Sequence, residues 1–442
     1  MREMKDSGVE WIGEIPKDWD IIQVKKLLAA RDGGSWGEEP QEDQFDRICY
    51  RVADFDFSRL AIVSDAELTV RNYTQPIIDK LSLERGDILV EKSGGGDKTP
   101  VGRAVLYDKD EPALFANFIE RLRVSSETSP RYFFYVWIAL YLTGFTNNYI
   151  KQTTGIQNLD IKSLVSSVFV PSFDLNLQHR IADYLDAKCA QIDRAIARQQ
   201  EVIEKLKKYK LSVITEAVTK GLNPDVPMKD SRIEWIGEIP EHWVIRKIRW
   251  DFSVDLGKML DAKQISGQYL GDYLRNTDVQ WNSINFENLP QMDFQEAESE
   301  RYQIKAGDLL VCEGGEIGRC AIVPDDFPAP MFYQKALHRV RIRRAENGDV
   351  GFLAYVMFCM SKNQYFFDSP EKSTIAHLPA ESLNGLRIPS PRKEEQMDIV
   401  RFLNNACRKI DEVSKKKLQT IDKLTEYKKS LIYEVVTGKR EV

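Results

Sequence analysis

Met4-Lys5-Asp6-Ser7-Gly8-Val9-Glu10-Trp11-Ile12-Gly13-Glu14-Ile15-Pro16 is written twice in this chain of 442 residues. It returns as Met228-Lys229-Asp230-Ser231-Arg232-Ile233-Glu234-Trp235-Ile236-Gly237-Glu238-Ile239-Pro240, changed only at positions 8/232 and 9/233. A match of this length, 224 positions apart, means a duplicated architecture. The informative question is what diverged between the copies.

Working outward, each copy continues into Pro-x-x-Trp, at Pro16–Trp19 and Pro240–Trp243. Gly86-Asp87-Ile88-Leu89-Val90 answers Gly307-Asp308-Leu309-Leu310-Val311. Each is followed by a glycine cluster and a Gly-Arg: Gly94-Gly95-Gly96 with Gly102-Arg103, and Gly314-Gly315 with Gly318-Arg319. Val170-Pro171-Ser172 answers Ile388-Pro389-Ser390, and a long helical segment follows at a constant offset of 218, from Gln178/Gln396 to Thr219/Thr437. Between these anchors, residues 28–85 and 251–306 share almost nothing that aligns. Drift alone would erode frame and insert together. Like frames holding unlike inserts suit a protein that reads two different things through equivalent scaffolds.

Length calls for more than one domain. Hydrophobic content of 43% and charged content of 29% are those of an ordinary soluble protein. The most apolar run, Tyr132–Phe145, is too short to span a membrane and reads as a buried helix. No signal peptide is legible at the N-terminus. Six scattered cysteines form no Cys-x-x-Cys, so a reduced, cytoplasmic protein without zinc or disulfides is expected. The net charge of −6 argues against a general nucleic-acid coat but leaves room for a local basic surface.

Short β-type runs and turns before Pro130, then the apolar helix and a last strand at Val168–Pro171, give an α+β globular domain. Residues 176–218 change character. Apolar positions fall on heptads: Leu185, Ile192, Leu206, Val213 and Cys189, Ile196, Ile203, Ala217, interrupted at Gln199 and Lys210. The second copy repeats the seam through Leu403, Ile410, Leu424, Leu431 and Cys407, Ile421, Val435, interrupted at Ser414, Lys417 and Lys428. Gly221 with Pro224, and Gly438, end the helices. A helix of some 42 residues is about 63 Å long, too long to fold back within its own domain. Its economical partner is the other copy's helix, in an antiparallel coiled coil with a pseudo-twofold axis.

This order resembles the specificity subunit of Type I restriction-modification systems. The resemblance rests on Glu10–Trp19 with Glu234–Trp243, the Gly-Asp strands, the Gly-Gly…Gly-Arg loops, and the junctions Pro171/Gln178/Ile181 and Pro389/Gln396/Ile399. It covers nearly the whole chain. The first copy departs from the family at Leu177-Gln178, where the second has Glu395-Gln396, and its glycine loop is longer. The resemblance implies a first target recognition domain at 1–173, a long helix at 174–222, a second recognition domain at 223–391 and a second helix at 392–442. It implies a non-catalytic phage-defence subunit reading a bipartite, asymmetric site in double-stranded DNA, with the coil setting the spacer. Two modification (methyltransferase) subunits and restriction motor-nuclease subunits would be its partners. It would hold no cofactor; S-adenosylmethionine, ATP and Mg would sit on the partner subunits. A coiled-coil scaffold that reads no DNA is the alternative. A subunit serving a methyltransferase-only system is a third reading.

The residues themselves offer no enzyme. There is no Asn/Asp-Pro-Pro-Tyr/Phe motif, no Gly-x-Gly-x-x-Gly and no Walker A. Lys98-Thr99 lacks phosphate-loop spacing and reads as a tight turn. The four histidines (His179, His242, His338, His377) have no metal spacing. DNA contacts need cations for phosphates and forked donors for bases. The first-domain candidates are Lys92, Ser93, Lys98, Thr99, Arg103, Thr154, Gln157 and Asn158. The second-domain candidates are Arg275, Asn276, Arg319, Gln334, Lys335, Lys372, Ser373 and Thr374. The lysines at 205–210 and 415–429 are interleaved with acids and read as a solvated coil face.

Overall fold

A computed structural model describes residues 2–63, 67–96, 98–153, 155–259, 267–366 and 377–442. Two compact units emerge, and neither is one repeat taken end to end. One holds Met1–Gln200 with Leu418–Val442; the other holds Glu201–Lys417.

In the first unit the strands are β1 (Leu28–Gly33), β2 (Asp46–Tyr50), β3 (Ile88–Glu91), β4 (Ala104–Leu106), β5 (Ala113–Phe115) and β6 (Ile119–Val124). The central sheet is antiparallel in the order β4-β3-β6-β1. Alternation along a strand sends successive side chains to opposite faces. Ile88 and Val90 therefore join the core built on the helix α1 (Pro130–Leu142), while Leu89 joins a second core under β2 and β5. Burial on both faces is why this strand reads as an unbroken apolar run.

The second unit repeats the plan with β7 (Phe252–Leu256), β8 (Leu270–Leu274), β9 (Leu309–Cys312), β10 (Cys320–Ile322), β11 (Phe332–Tyr333) and β12 (Leu337–Ile342). Its sheet runs β7-β12-β9-β10, and β8 pairs parallel to β11 as β2 does to β5. In each unit the aspartate of Gly-Asp is buried at the turn into the strand. Asp87 accepts two bonds of 2.7 Å from Arg123, and Asp308 accepts two of 2.6 Å from Arg341.

The quoted repeat is a hairpin in both copies, with Met4 opposite Pro16 and Met228 opposite Pro240. The changed position 8/232 has a positive φ, 68° at Gly8 and 58° at Arg232, so the second copy places an arginine where glycine is favoured. The Pro-x-x-Trp that follows is a docking site for the far end of a long helix. A Cβ on Gly438 would lie 2.4 Å from Pro16 and 2.8 Å from Trp19; one on Gly221 would lie 3.1 Å from Trp243.

The long helices are α2 (Leu175–Lys220) and, after α3 (Val350–Lys362), α4 (Lys393–Val436). Each unit contains the first part of one and the last part of the other. In the first unit Leu185, Cys189 and Ile192 share a core with Leu431 and Val435. Numbers rise on one helix as they fall on the other: Arg180 bonds the Val442 carbonyl at 2.7 Å, and Lys428 pairs with Asp193 at 2.8 Å. The helices are therefore antiparallel. In the second unit Lys210 pairs with Asp411 at 2.7 Å. Lys210 and Lys428 are equivalent polar interruptions of the two heptad seams, one in each copy. Each meets an aspartate of the opposite helix rather than its own symmetry mate. At the helix entrances Gln178 accepts from the Ser129 amide at 2.9 Å and Gln396 from the Asp349 amide at 2.9 Å, tying each long helix to the start of its apolar helix.

No described helix is long and apolar enough to cross a membrane.

Candidate nucleic-acid interface

The loops that carry the candidates meet at one end of each central sheet. In the first unit this end is where β3 stops, β6 starts and β1 stops: Glu91 lies opposite Ile119 and Gly33 opposite Glu120. The turn Ala116-Asn117-Phe118-Ile119 closes with Ile119 N–H on the Ala116 carbonyl at 3.0 Å. Lys92 N–H and Ser93 N–H both donate to the Phe118 carbonyl. The strand Ser93–Gly94 then pairs with Ile156–Leu159. Lys92, Ser93, Lys98, Thr99, Arg103, Gln157 and Asn158 thus come together.

Their roles divide. Ser93 and Gln157 are buried and hold the loop: Ser93 Oγ donates to Asn158 Oδ1 at 2.6 Å, and Gln157 Oε1 accepts from the Val101 amide at 3.3 Å. Arg103 forms a two-pronged bridge to buried Glu91, both bonds 2.8 Å, and stacks over Phe57 at 3.9 Å. The hydrogen-bonded Glu91 carboxylate raises the Arg103 pKa further above its ordinary value. Arg103 is therefore a brace for the glycine loop. Lys98 and Thr99 lie exposed on the turn Gly96–Thr99, as the spacing predicts. Lys92 has its Nζ 3.8 Å from Glu120, which also binds Arg31. Lys98 makes no ion pair with a described residue.

In the second unit the same end gathers Arg275, Asn276, Arg319, Gln334 and Lys335. The turn Gln334-Lys335-Ala336-Leu337 closes at 3.0 Å like its counterpart. Arg319 Nη2 donates to the Asn276 carbonyl at 2.9 Å and to its Oδ1 at 2.8 Å, while Asn276 Nδ2 donates to the Gly314 carbonyl at 3.1 Å. Arg319 is thus held by neutral acceptors where Arg103 is held by a carboxylate. Lys335 is exposed and makes no ion pair with a described residue. Thr154, Lys372, Ser373 and Thr374 lie outside the described residues.

The structure also finds equivalences that the sequence reading missed, inside the inserts that do not align. Arg51 and Asp54 make the same turn as Arg275 and Asp278. In both, the arginine amide donates to the aspartate at 2.7 Å and its Nη2 at 2.8 Å. Arg275 is therefore a turn brace first, though its side chain is 42% exposed. Gly34 and Gly257 are a second pair. A Cβ on either would come within 2.2 Å of a carbonyl oxygen, of Ala116 and Gln334 respectively. Position 120/338 is Glu120 in one unit and His338 in the other, both buried. Burial lowers the His338 pKa and keeps the ring neutral, with Nε2 2.7 Å from the Leu378 carbonyl. The signals were present: Arg51/Arg275 and Asp54/Asp278 keep the offset of 224 of the opening repeat.

Like backbone thus presents unlike side chains: Val52 against Asn276, Glu91 against Cys312, Asn117 against Lys335, Phe118 against Ala336. Among the described residues no group of three or more His, Cys, Asp or Glu side chains is placed to hold a metal ion.

Comparison with known proteins places this arrangement. Residues 240–423 match the family model described as the Type I restriction modification DNA specificity domain. The chain is 23% identical over 443 aligned residues to a protein described as the type I restriction enzyme MjaX specificity subunit of Methanocaldococcus jannaschii, covering 98% of this chain and 96% of that one. It is 22% identical over 338 residues to the type I restriction enzyme EcoBI specificity subunit of Escherichia coli, covering 74% of this chain and 69% of the other. A chain from a structure of complex assembly in the type I R-M system superposes with a TM-score of 0.72 at 13% identity, covering 96% of this chain and 99% of that chain.

Proposed function

We propose that this chain, similar over nearly its whole length to a Type I restriction enzyme specificity subunit, selects the DNA sequence on which a modification and restriction complex acts. Each unit reads one half of a bipartite site. The observation that carries this reading is the pair of like frames with unlike side chains at the same sheet end. Two like frames with unlike reading loops select an asymmetric target.

The finer assignments are proposals on the same footing. Lys98 and Lys335 are the phosphate contacts, being exposed cations that pair with no carboxylate among the described residues. Exposed Asn158 carries a forked donor toward base edges, while Asn276 and Arg319, bonded to each other, hold the second unit's loop. Lys372, Ser373, Thr374 and Thr154 remain candidate contacts from sequence alone. Arg103, Arg275, Ser93 and Gln157 act indirectly, by holding the loops. The antiparallel helices fix the spacer. Two modification subunits dock on the repeated frame and bring S-adenosylmethionine, a restriction subunit brings ATP chemistry, and this chain contributes no catalytic group.

Binding of the full chain with its modification subunits to duplex DNA, followed against salt, tests this. Lys98→Glu and Lys335→Glu are each expected to weaken binding across sequences and reduce the salt slope by about one. Unchanged affinity and slope for both would remove these loops from the DNA.

A further inference from the structure

The glycine pair Gly34/Gly257 aligns the two units residue by residue beyond the sheet. Gly34 N–H donates to the Ile119 carbonyl and Gly257 N–H to the Leu337 carbonyl, both at 3.1 Å. The next amides, Ser35 and Lys258, donate to the Phe115 and Tyr333 carbonyls at 2.9 and 3.1 Å. The following residue is Trp36 in one unit and Met259 in the other. Trp36 is 39% exposed and Met259 is 64% exposed. A lone exposed apolar side chain is unremarkable on a protein surface. Two large ones at one matched position, in inserts otherwise unalike, are a repeated placement.

The residues beside them are anchored. Tyr73 Oη donates to the Ser35 carbonyl at 3.1 Å, and the Arg71 guanidinium lies 4.3 Å from the Trp36 ring centroid. Lys258 is tied by its Nζ to the Asp293 carbonyl at 2.7 Å and to Glu298 at 2.5 Å, leaving its neighbour Met259 as the projecting group. Both loops adjoin the cations already described: the Lys92 Nζ is 3.1 Å from a Cβ built on Gly33.

We propose that Trp36 and Met259 are matched apolar base contacts, one in each half-site, pressed against a thymine methyl or an unstacked base face in the groove. This rests on the DNA-reading role above. Neither side chain carries a charge to pair with a phosphate, and the flanking cations bring base surface to them. The first unit adds Phe118, 51% exposed on the adjoining turn, where the second has Ala336.

The test uses the full chain with its modification subunits and duplexes bearing single substitutions in either half of the target. The wild-type complex is measured first; no sequence preference there would sink the DNA-reading role itself. With preference present, Trp36→Ala is expected to lose about tenfold discrimination in the first half only, and Met259→Ala the same in the second only. The salt slope stays unchanged, because an apolar contact releases no counterions. Trp36→Phe retains most discrimination. Replacing thymine by uracil in the target removes only the methyl and separates the two base surfaces, costing discrimination for a methyl contact and none for an unstacked face. Equal discrimination in both variants, or loss of the modification subunits from the complex instead, would overturn the proposal.

Discussion

Removing Asp193 should cost far more than removing its partner Lys428. The Lys428 side chain is 11% exposed and that of Asp193 32%, with Nζ–O distances of 2.8 and 2.9 Å. In Asp193→Ala the ammonium is left inside the helix pair, its nearest other acceptor the Ser58 carbonyl at 3.5 Å. Stranding one partner of a fully buried pair costs about 3–5 kcal/mol; with Asp193 a third open to water, about 2 kcal/mol is reasonable here. Lys428→Met instead leaves a carboxylate that solvent can reach and keeps the apolar stem packed, so about 1 kcal/mol or less is expected. The second unit supplies an internal comparison. Asp411 is 59% exposed and Lys210 19%, so Asp411→Ala should cost less than Asp193→Ala, in the range of about 0–1 kcal/mol of an open pair. Urea titration with a common m-value gives each number. The exchange Asp193→Lys with Lys428→Asp should recover most of the loss. Equal costs for Asp193→Ala and Lys428→Met, or less than about 0.5 kcal/mol for Asp193→Ala, would refute the argument that burial of the lysine sets the scale.

Two further outcomes follow from the sheet end. Gly34→Ala and Gly257→Ala each drive a Cβ to within 2.2 Å of a carbonyl oxygen on the reading turn, so each should destabilise its unit by about 2 kcal/mol or more; calorimetry showing either variant at the wild-type midpoint would contradict it. Asp160 caps the helix Ile161–Ser167; the bonded Lys151 ammonium, then the Ser163 amide and hydroxyl, pull its pKa down to about 2 from 3.8. A depressed carboxylate contributes stability above its unfolded value and loses it as pH falls toward the folded one. Asp160→Ala should therefore cost about 1 kcal/mol near neutrality and progressively less from pH about 4 toward 2. A pH-independent difference in unfolding midpoint would count against that cap.

The sequence carried the architecture because the frame obeys local rules. The Gly-Asp strand is apolar on both faces, the heptads run without a break in period, and Gly221 and Gly438 mark where the helices end. Two things were only partly legible. The antiparallel pairing of the two helices was legible from their length and matched heptads, but not that Lys210 and Lys428 meet Asp411 and Asp193 across it rather than each other. The reading end was half legible. Exposed Lys98 and Lys335 follow from turn chemistry. The bracing of Arg103 by Glu91 and of Arg275 by Asp278 depends on which side chains the fold brings together. Glu91 sits twelve residues from Arg103, and nothing in that spacing announces a bridge. Trp36 and Met259 were missed because side-chain identity diverged while the backbone position did not. Only the carbonyl contacts of Gly34 and Gly257 reveal their correspondence.

The central claim is that two unlike readers in like frames select one asymmetric, two-part DNA sequence. Single-molecule sequencing of adenine methylation, in cells carrying the chain with its modification subunit and in cells lacking only the chain, tests it most directly. The account expects a bipartite methylated motif with unlike halves and a fixed spacer, absent without the chain. A methylation pattern that is the same with and without the chain, or a motif with identical halves, would contradict it.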